Sequence, residues 1–194
     1  MVIEKYITLP LTYSPYHFIK GGGQNTFMVG GRPGKLMIFD NNATILHQLD
    51  LDENLKSIDF CHEMERIAVV NKKGISIINY QQEEILFLKD RKYKEIIYTQ
   101  NYLWALKKIN YHKAILEVYD ATNWGLIDSI EIEDIFVNSG YLLVEGVSEQ
   151  SVIIWMAAGQ DGQCNFIVEL NNNKLQFTEF IEYDTIPLFI SPNS

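Results

Sequence analysis

The sequence predicts an all-β chain built from four copies of a four-stranded antiparallel unit, and three observations predict it. Short apolar runs recur along the chain, each bounded by Gly, Asn, Asp or Lys turn residues. The runs fall into four sets in the same internal order, starting near residues 16, 56, 95 and 141. A helical period is hard to find anywhere except over residues 52–66, where Leu55, Ile58 and Met64 could share one face. The place of that segment in the repeat favours a strand.

The first strand of each set is the weakest: Tyr16 to Ile19, Lys56 to Phe60, Glu95 to Thr99 and Tyr141 to Val144. The second is almost wholly apolar, as Phe27 to Gly30, Ile67 to Val70, Leu103 to Leu106 and Val152 to Trp155. The third covers Leu36 to Phe39, Ile75 to Ile78, Ile115 to Tyr119 and Phe166 to Leu170. The fourth alternates more clearly, over Thr44 to Leu49, Glu84 to Leu88, Leu126 to Ile132 and Leu175 to Ile181. Residues 2–9 and 186–190 read as two further strands, one like a fourth and one like a first.

Four strands in about forty residues is the spacing of a β-propeller blade. The succession Leu55 to Phe60, Ile67 to Val70, Gly74 to Tyr80 and Glu84 to Leu88 resembles a WD-type blade in its rhythm. The Gly-His and Trp-Asp dipeptides are absent. The resemblance, over residues 16–184, is therefore to the blade architecture and to no particular family. It implies a β-propeller-like array of four blades plus two terminal strands within a single domain, residues 1–194. A small closed ring, an open half-propeller that pairs with another chain, and a curved β-sandwich all fit that count. The unpaired sheet edges of an open half would favour a homo-oligomer.

Composition bounds the function. The 194 residues are 47% apolar and 12% aromatic, enough to build a sizeable core. Sixteen basic against 25 acidic residues leave a net charge of −9, which argues against nucleic acid as a partner. Two isolated cysteines, Cys61 and Cys164, form no disulfide framework and suit a reducing compartment. Glu4 and Lys5 stand where a signal peptide needs its apolar stretch. The longest apolar run, Val152 to Ala158, is far short of the ~20 residues that span a bilayer as a helix. A cytoplasmic protein without membrane contact is expected.

Catalytic patterns fail one by one. Gly30-Gly31-Arg32-Pro33-Gly34-Lys35 lacks the first glycine and the final hydroxyl of a phosphate loop, since Val29 and Leu36 occupy those places. It and Gly21-Gly22-Gly23 read as tight hairpin turns needing φ > 0. His17, His47, His62 and His112 show no metal-ligand spacing, so no metal or cofactor is expected. No nucleophile elbow is present. An enzyme would have to draw on inward polar groups of first strands, with His17, Lys56, Asp59 and Tyr98 the candidates. The carboxylates around the fourth strands, among them Asp50, Asp128 and Glu131, read as a solvated rim that deters edge pairing. Trp104 and Trp155 fall in second strands and read as packing. Trp124 falls in the turn Asp120 to Gly125 and is the aromatic candidate for contact with a partner.

Antiparallel strands alternate the ends at which turns emerge, so second-to-third turns and the connections between units share one face. That face collects Arg32, Lys35, Lys72, Lys73, Lys107 and Lys108, together with Arg91, Lys92 and Lys94. The other face carries Asp40, Glu63, Glu65, Glu83, Glu84, Asp120 and Glu149. The function that follows is a non-catalytic module presenting its turns to another protein. An acidic immunity-type inhibitor of a toxin is the alternative binding role.

Overall fold

In the computed structural model the described residues are 8–20, 26–51, 55–61, 64–80, 83–133, 141–157 and 163–183. They form sixteen strands in four antiparallel sheets of four, each in sequence order. Sheet one holds β1 (Ser14–Lys20), β2 (Thr26–Arg32), β3 (Lys35–Asp40) and β4 (Ile45–Asp50). Sheet two holds β5 (Ser57–Cys61), β6 (Arg66–Val70), β7 (Ile75–Asn79) and β8 (Glu84–Leu88). Sheet three holds β9 (Tyr93–Thr99), β10 (Tyr102–Lys108), β11 (Lys113–Asp120) and β12 (Leu126–Glu133). Sheet four holds β13 (Tyr141–Ser148), β14 (Ser151–Ala157), β15 (Gln163–Asn171) and β16 (Lys174–Tyr183).

Every strand foreseen in the repeat is present, and residues 57–61, inside the segment where a helix was the alternative, form a strand. The two terminal strands fall largely outside the described residues, and Thr8 and Leu9 carry no strand. The chain divides into two compact units, residues 1–89 with sheets one and two, and residues 90–194 with sheets three and four.

Second and third strands are mostly apolar and supply most of the buried side chains. In the first unit one face of sheet one, with Met28, Leu36, Ile38 and Leu49, packs on Ile58, Phe60, Ile67, Val69 and Ile78 of sheet two. Its opposite face, with Val29, Met37 and Phe39, is covered by Leu9, Leu11 and Tyr13. In the second unit Trp104, Leu106, Leu116 and Val118 of sheet three meet Val152, Ile154, Met156 and Val168 of sheet four. Fourth strands are more solvated, with Ile45, Leu46, Ile85, Phe87 and Leu126 all exposed.

Polar clamps join sheets three and four. Asp128 of β12 accepts the backbone N–H of Leu175 at 2.8 Å and Lys174 Nζ at 3.2 Å. Buried Trp104 donates its indole N–H to Thr99 Oγ1 at 2.8 Å, and Thr99 donates in turn to the Glu149 carbonyl at 2.6 Å.

The glycine reading needs correcting. Gly34 does turn with φ 74°, but Gly30 and Gly31 lie inside β2. Gly31 is there for closeness: a Cβ would lie 2.2 Å from the Ser14 carbonyl and 2.4 Å from the Tyr13 ring. Tyr13 crosses that strand and donates its hydroxyl to the Val29 carbonyl at 2.6 Å.

Candidate functional site

All four third strands end on an Asp or Asn: Asp40, Asn79, Asp120 and Asn171. Such side chains capture backbone N–H groups just ahead in the chain and so close the turn into the fourth strand. Asp40 Oδ1 accepts from Asn42 and Thr44 N–H, both at 2.8 Å, and Asn79 Oδ1 accepts from Glu83 N–H at 2.9 Å. These N–H bonds hold the carboxyls of Asp40 and, with the Thr122 hydroxyl, Asp120 below the usual carboxylate range. The signal was legible as Phe39-Asp40, Ile78-Asn79, Tyr119-Asp120 and Leu170-Asn171.

The turn carrying Trp124 is the most heavily braced. Asp120 accepts from Thr122 N–H at 2.7 Å and from Thr122 Oγ1 at 2.5 Å, and Asn123 caps Gly125 N–H at 2.7 Å. Trp124 is half-buried with φ 63°, a left-handed conformation a bulky residue adopts only when its surroundings hold it there.

The basic candidates separate into distinct environments. Lys72 and Lys73 are exposed on the β6–β7 turn, where Asn71 Oδ1 accepts from Lys73 N–H at 2.7 Å. Arg91 and Lys92 are exposed before β9, where Asp90 Oδ1 accepts from Lys92 N–H at 2.9 Å. Arg32 is exposed at the end of β2, and Lys35 pairs with Asp50. Lys94 and Lys108 are half-buried. The first four positions of this set (Arg32, Lys35, Lys72, Lys73) lie in the first unit and the other five in the second.

Lys107 is held inward on sheet three, in a cluster that spacing alone did not reveal. Its Nζ lies 2.6 Å from Glu117 Oε1, 3.5 Å from Asp90 Oδ2 and 4.6 Å over the Tyr93 ring. Glu117, only 8% exposed, accepts on Oε2 from Tyr93 at 2.8 Å and Tyr119 at 2.6 Å. Burial first, and then the hydrogen bonds to Glu117, raise the Tyr93 and Tyr119 phenols far above their ordinary range. Phenols held neutral in this way are poor proton donors to a substrate, and both carboxylate oxygens are occupied, which makes the cluster a brace. Strand parity offered the clue: Lys107, Glu117, Tyr119 and Tyr93 alternate onto one face of their register.

Of the four polar candidates on first strands, Asp59 turns back to accept Phe60 N–H at 2.9 Å, while Tyr98 lines a cleft. The His17 side chain lies outside the described residues, and no group of three metal-ligating side chains occurs among the described residues. No described helix is long and apolar enough to cross a membrane.

No protein-family model matches the chain, and no curated protein matches it in sequence. Solved structures match it by fold. Hydrazine synthase of Kuenenia stuttgartiensis matches with a TM-score of 0.67 over 94% of this chain and 53% of its own length, at 12% identity. The WD40 domain of Toxoplasma gondii coronin matches with a TM-score of 0.62 over 80% of this chain and 42% of its own, at 9% identity. Kluyveromyces lactis Hsv2p matches with a TM-score of 0.57 over 85% of this chain and 60% of its own, at 10% identity. The chain thus spans about half the length of the first two. At such identities the likeness is one of fold, and with the four sheets it makes the chain β-propeller-like.

Proposed function

We propose that the chain is a non-catalytic protein-interaction module that presents blade-end turns to an acidic surface of another protein. The observation that carries this reading is the pre-ordering of its cationic turns. Asn71 and Asp90 hold their turns through side-chain bonds to backbone N–H groups, and Lys72, Arg91 and Lys92 project from them with no described residue paired to them. A turn already closed loses little conformational freedom when a partner docks, so more of the contact energy appears as affinity. Opposite charge on the partner would speed encounter and tie the affinity to ionic strength.

Charge reversal tests the reading. The double variants Lys72→Glu with Lys73→Glu, and Arg91→Glu with Lys92→Glu, are compared with the parent as bait in native extract, at low and at high salt. The module reading expects partners that are lost on reversal and on raising salt. A retained set indifferent to both changes refutes it.

A further inference from the structure

We infer that a cleft at the opposite end of sheet three from its Arg91–Lys92 turn is a receptor for an arginine side chain of a protein partner. The cleft, about 310 Å³, opens where β9 and β13 come side by side, and its wall includes Tyr98, Thr99, Gln100, Gly146, Ser148 and Glu149. That volume is at the lower end for ligand pockets and suits one long side chain more than a cofactor.

Several local features build it. Gly146 lets the two strands approach, since a Cβ there would lie 3.2 Å from Thr99 Cγ2 and 3.7 Å from Ile97 Cδ1. The pairing of β13 with β14 then slips between Gly146 and Ser148, a bulge of the kind that re-aims side chains beside functional sites. The floor is rigid, because the Trp104–Thr99–Glu149 relay bonds the two walls together.

The chemistry of the wall is that of an acceptor. Its one charged group is Glu149, and no described cation pairs with it. Asn101 Nδ2 donates to Glu149 Oε1 at 2.5 Å, which orients the carboxylate, and no described residue donates to Oε2. Ser148, whose hydroxyl shares a 2.6 Å hydrogen bond with Ser151, and Gln100 add neutral polar groups to the same wall. A guanidinium brings five donors and a permanent positive charge, which matches an oriented carboxylate flanked by neutral oxygens. The same wall would repel an anion, so this site and the basic turns would read opposite charges on a partner.

The test is an NMR titration of labelled protein with acetyl-Gly-Arg-Gly-amide and with its neutral citrulline isostere. The arginine peptide is expected to shift the amides of Gln100, Gly146, Ser148 and Glu149 in the low millimolar range, and the citrulline peptide to leave them in place. Glu149→Gln keeps an oxygen for Asn101 and the backbone carbonyl for Thr99, so the blade junction stays intact. That variant is expected to bind the arginine peptide about tenfold more weakly, as loss of a charge-assisted bond predicts. Equal shifts with citrulline, unchanged binding by Glu149→Gln, or shifts only at other residues would overturn the inference. The Lys72→Glu, Lys73→Glu variant should bind the peptide like the parent, so failure of the basic-turn reading and failure of this one are told apart.

Discussion

Thr99 and Glu149, fifty residues apart, are joined by a 2.6 Å hydrogen bond from the threonine hydroxyl to the glutamate carbonyl. The same hydroxyl oxygen accepts the indole N–H of Trp104, a side chain with no exposed surface. One hydroxyl therefore satisfies a buried donor in sheet three and a carbonyl in sheet four. Thr99→Val keeps the shape and removes both bonds, leaving the indole N–H unsatisfied. It is expected to cost about 2–3 kcal/mol, read as a lower urea midpoint with an unchanged slope. A midpoint within error of the parent would show that the relay contributes nothing.

Two neighbouring glycines should respond differently to a single methyl group. Gly31→Ala drives a Cβ into the Ser14 carbonyl and the Tyr13 ring, which the backbone fixes in place. About 2–3 kcal/mol of destabilisation is expected. Gly30→Ala meets side-chain ends and no backbone, with Leu36 Cδ2 at 3.0 Å, Leu55 Cδ1 at 3.4 Å and Ile58 Cγ2 at 3.6 Å, and should cost less. Equal thermal midpoints for the two variants would contradict this packing.

Asn165 is wholly buried in β15, and neither its Nδ2 nor its Oδ1 has a hydrogen-bond partner among the described residues. It pairs across the sheet with Trp155, whose indole N–H also lacks one. A buried amide without partners forfeits its hydration for nothing, so Asn165→Leu, of similar volume, should stabilise by about 1–2 kcal/mol. Destabilisation on chemical denaturation would show that the amide is satisfied in solution.

Tyrosine ionisation predicts the alkaline limit of the fold. Burial pushes the Tyr13 and Tyr80 phenols up to about 12, with the Glu65 carboxylate adding to the effect at Tyr80. The Tyr93 and Tyr119 phenols are raised further. Unfolded phenols ionise near pH ~10, below these folded values. The stability these four contribute is therefore intact below about pH 10 and is lost as the pH climbs through their folded values. Phenolate absorbance should show a group of tyrosines that includes these four ionising together with loss of strand circular dichroism. Eleven independent ionisations centred near pH ~10, with the fold intact, would be the contrary result.

Strand identity was open to reading because it depends on local, repeated causes. Apolar runs of second and third strands such as Ile67 to Val70 and Leu103 to Leu106 need cover on both faces, and turn residues punctuate them at a regular spacing. Trp124 could likewise be placed in a turn, because Asp120, Thr122, Asn123 and Gly125 are residues that make one. Gly31 misled because a strand glycine that admits a crossing tyrosine is written with the same letter as a turn glycine.

By itself, then, the sequence determined the all-β class, the four-strand repeat and the ends of the sheet at which charged turns emerge, because hydrophobic period and turn chemistry act between near neighbours. Only tertiary structure decided which of those charges remain available. Lys107 and Glu117 are ten residues apart and become a partly buried pair through strand register, joined by Tyr93 from β9. Thr99, Gly146 and Glu149 become one cleft only when two sheets pack. Those contacts arise from the approach of segments distant in sequence, where side-chain volume and burial, and not local propensity, set the energy.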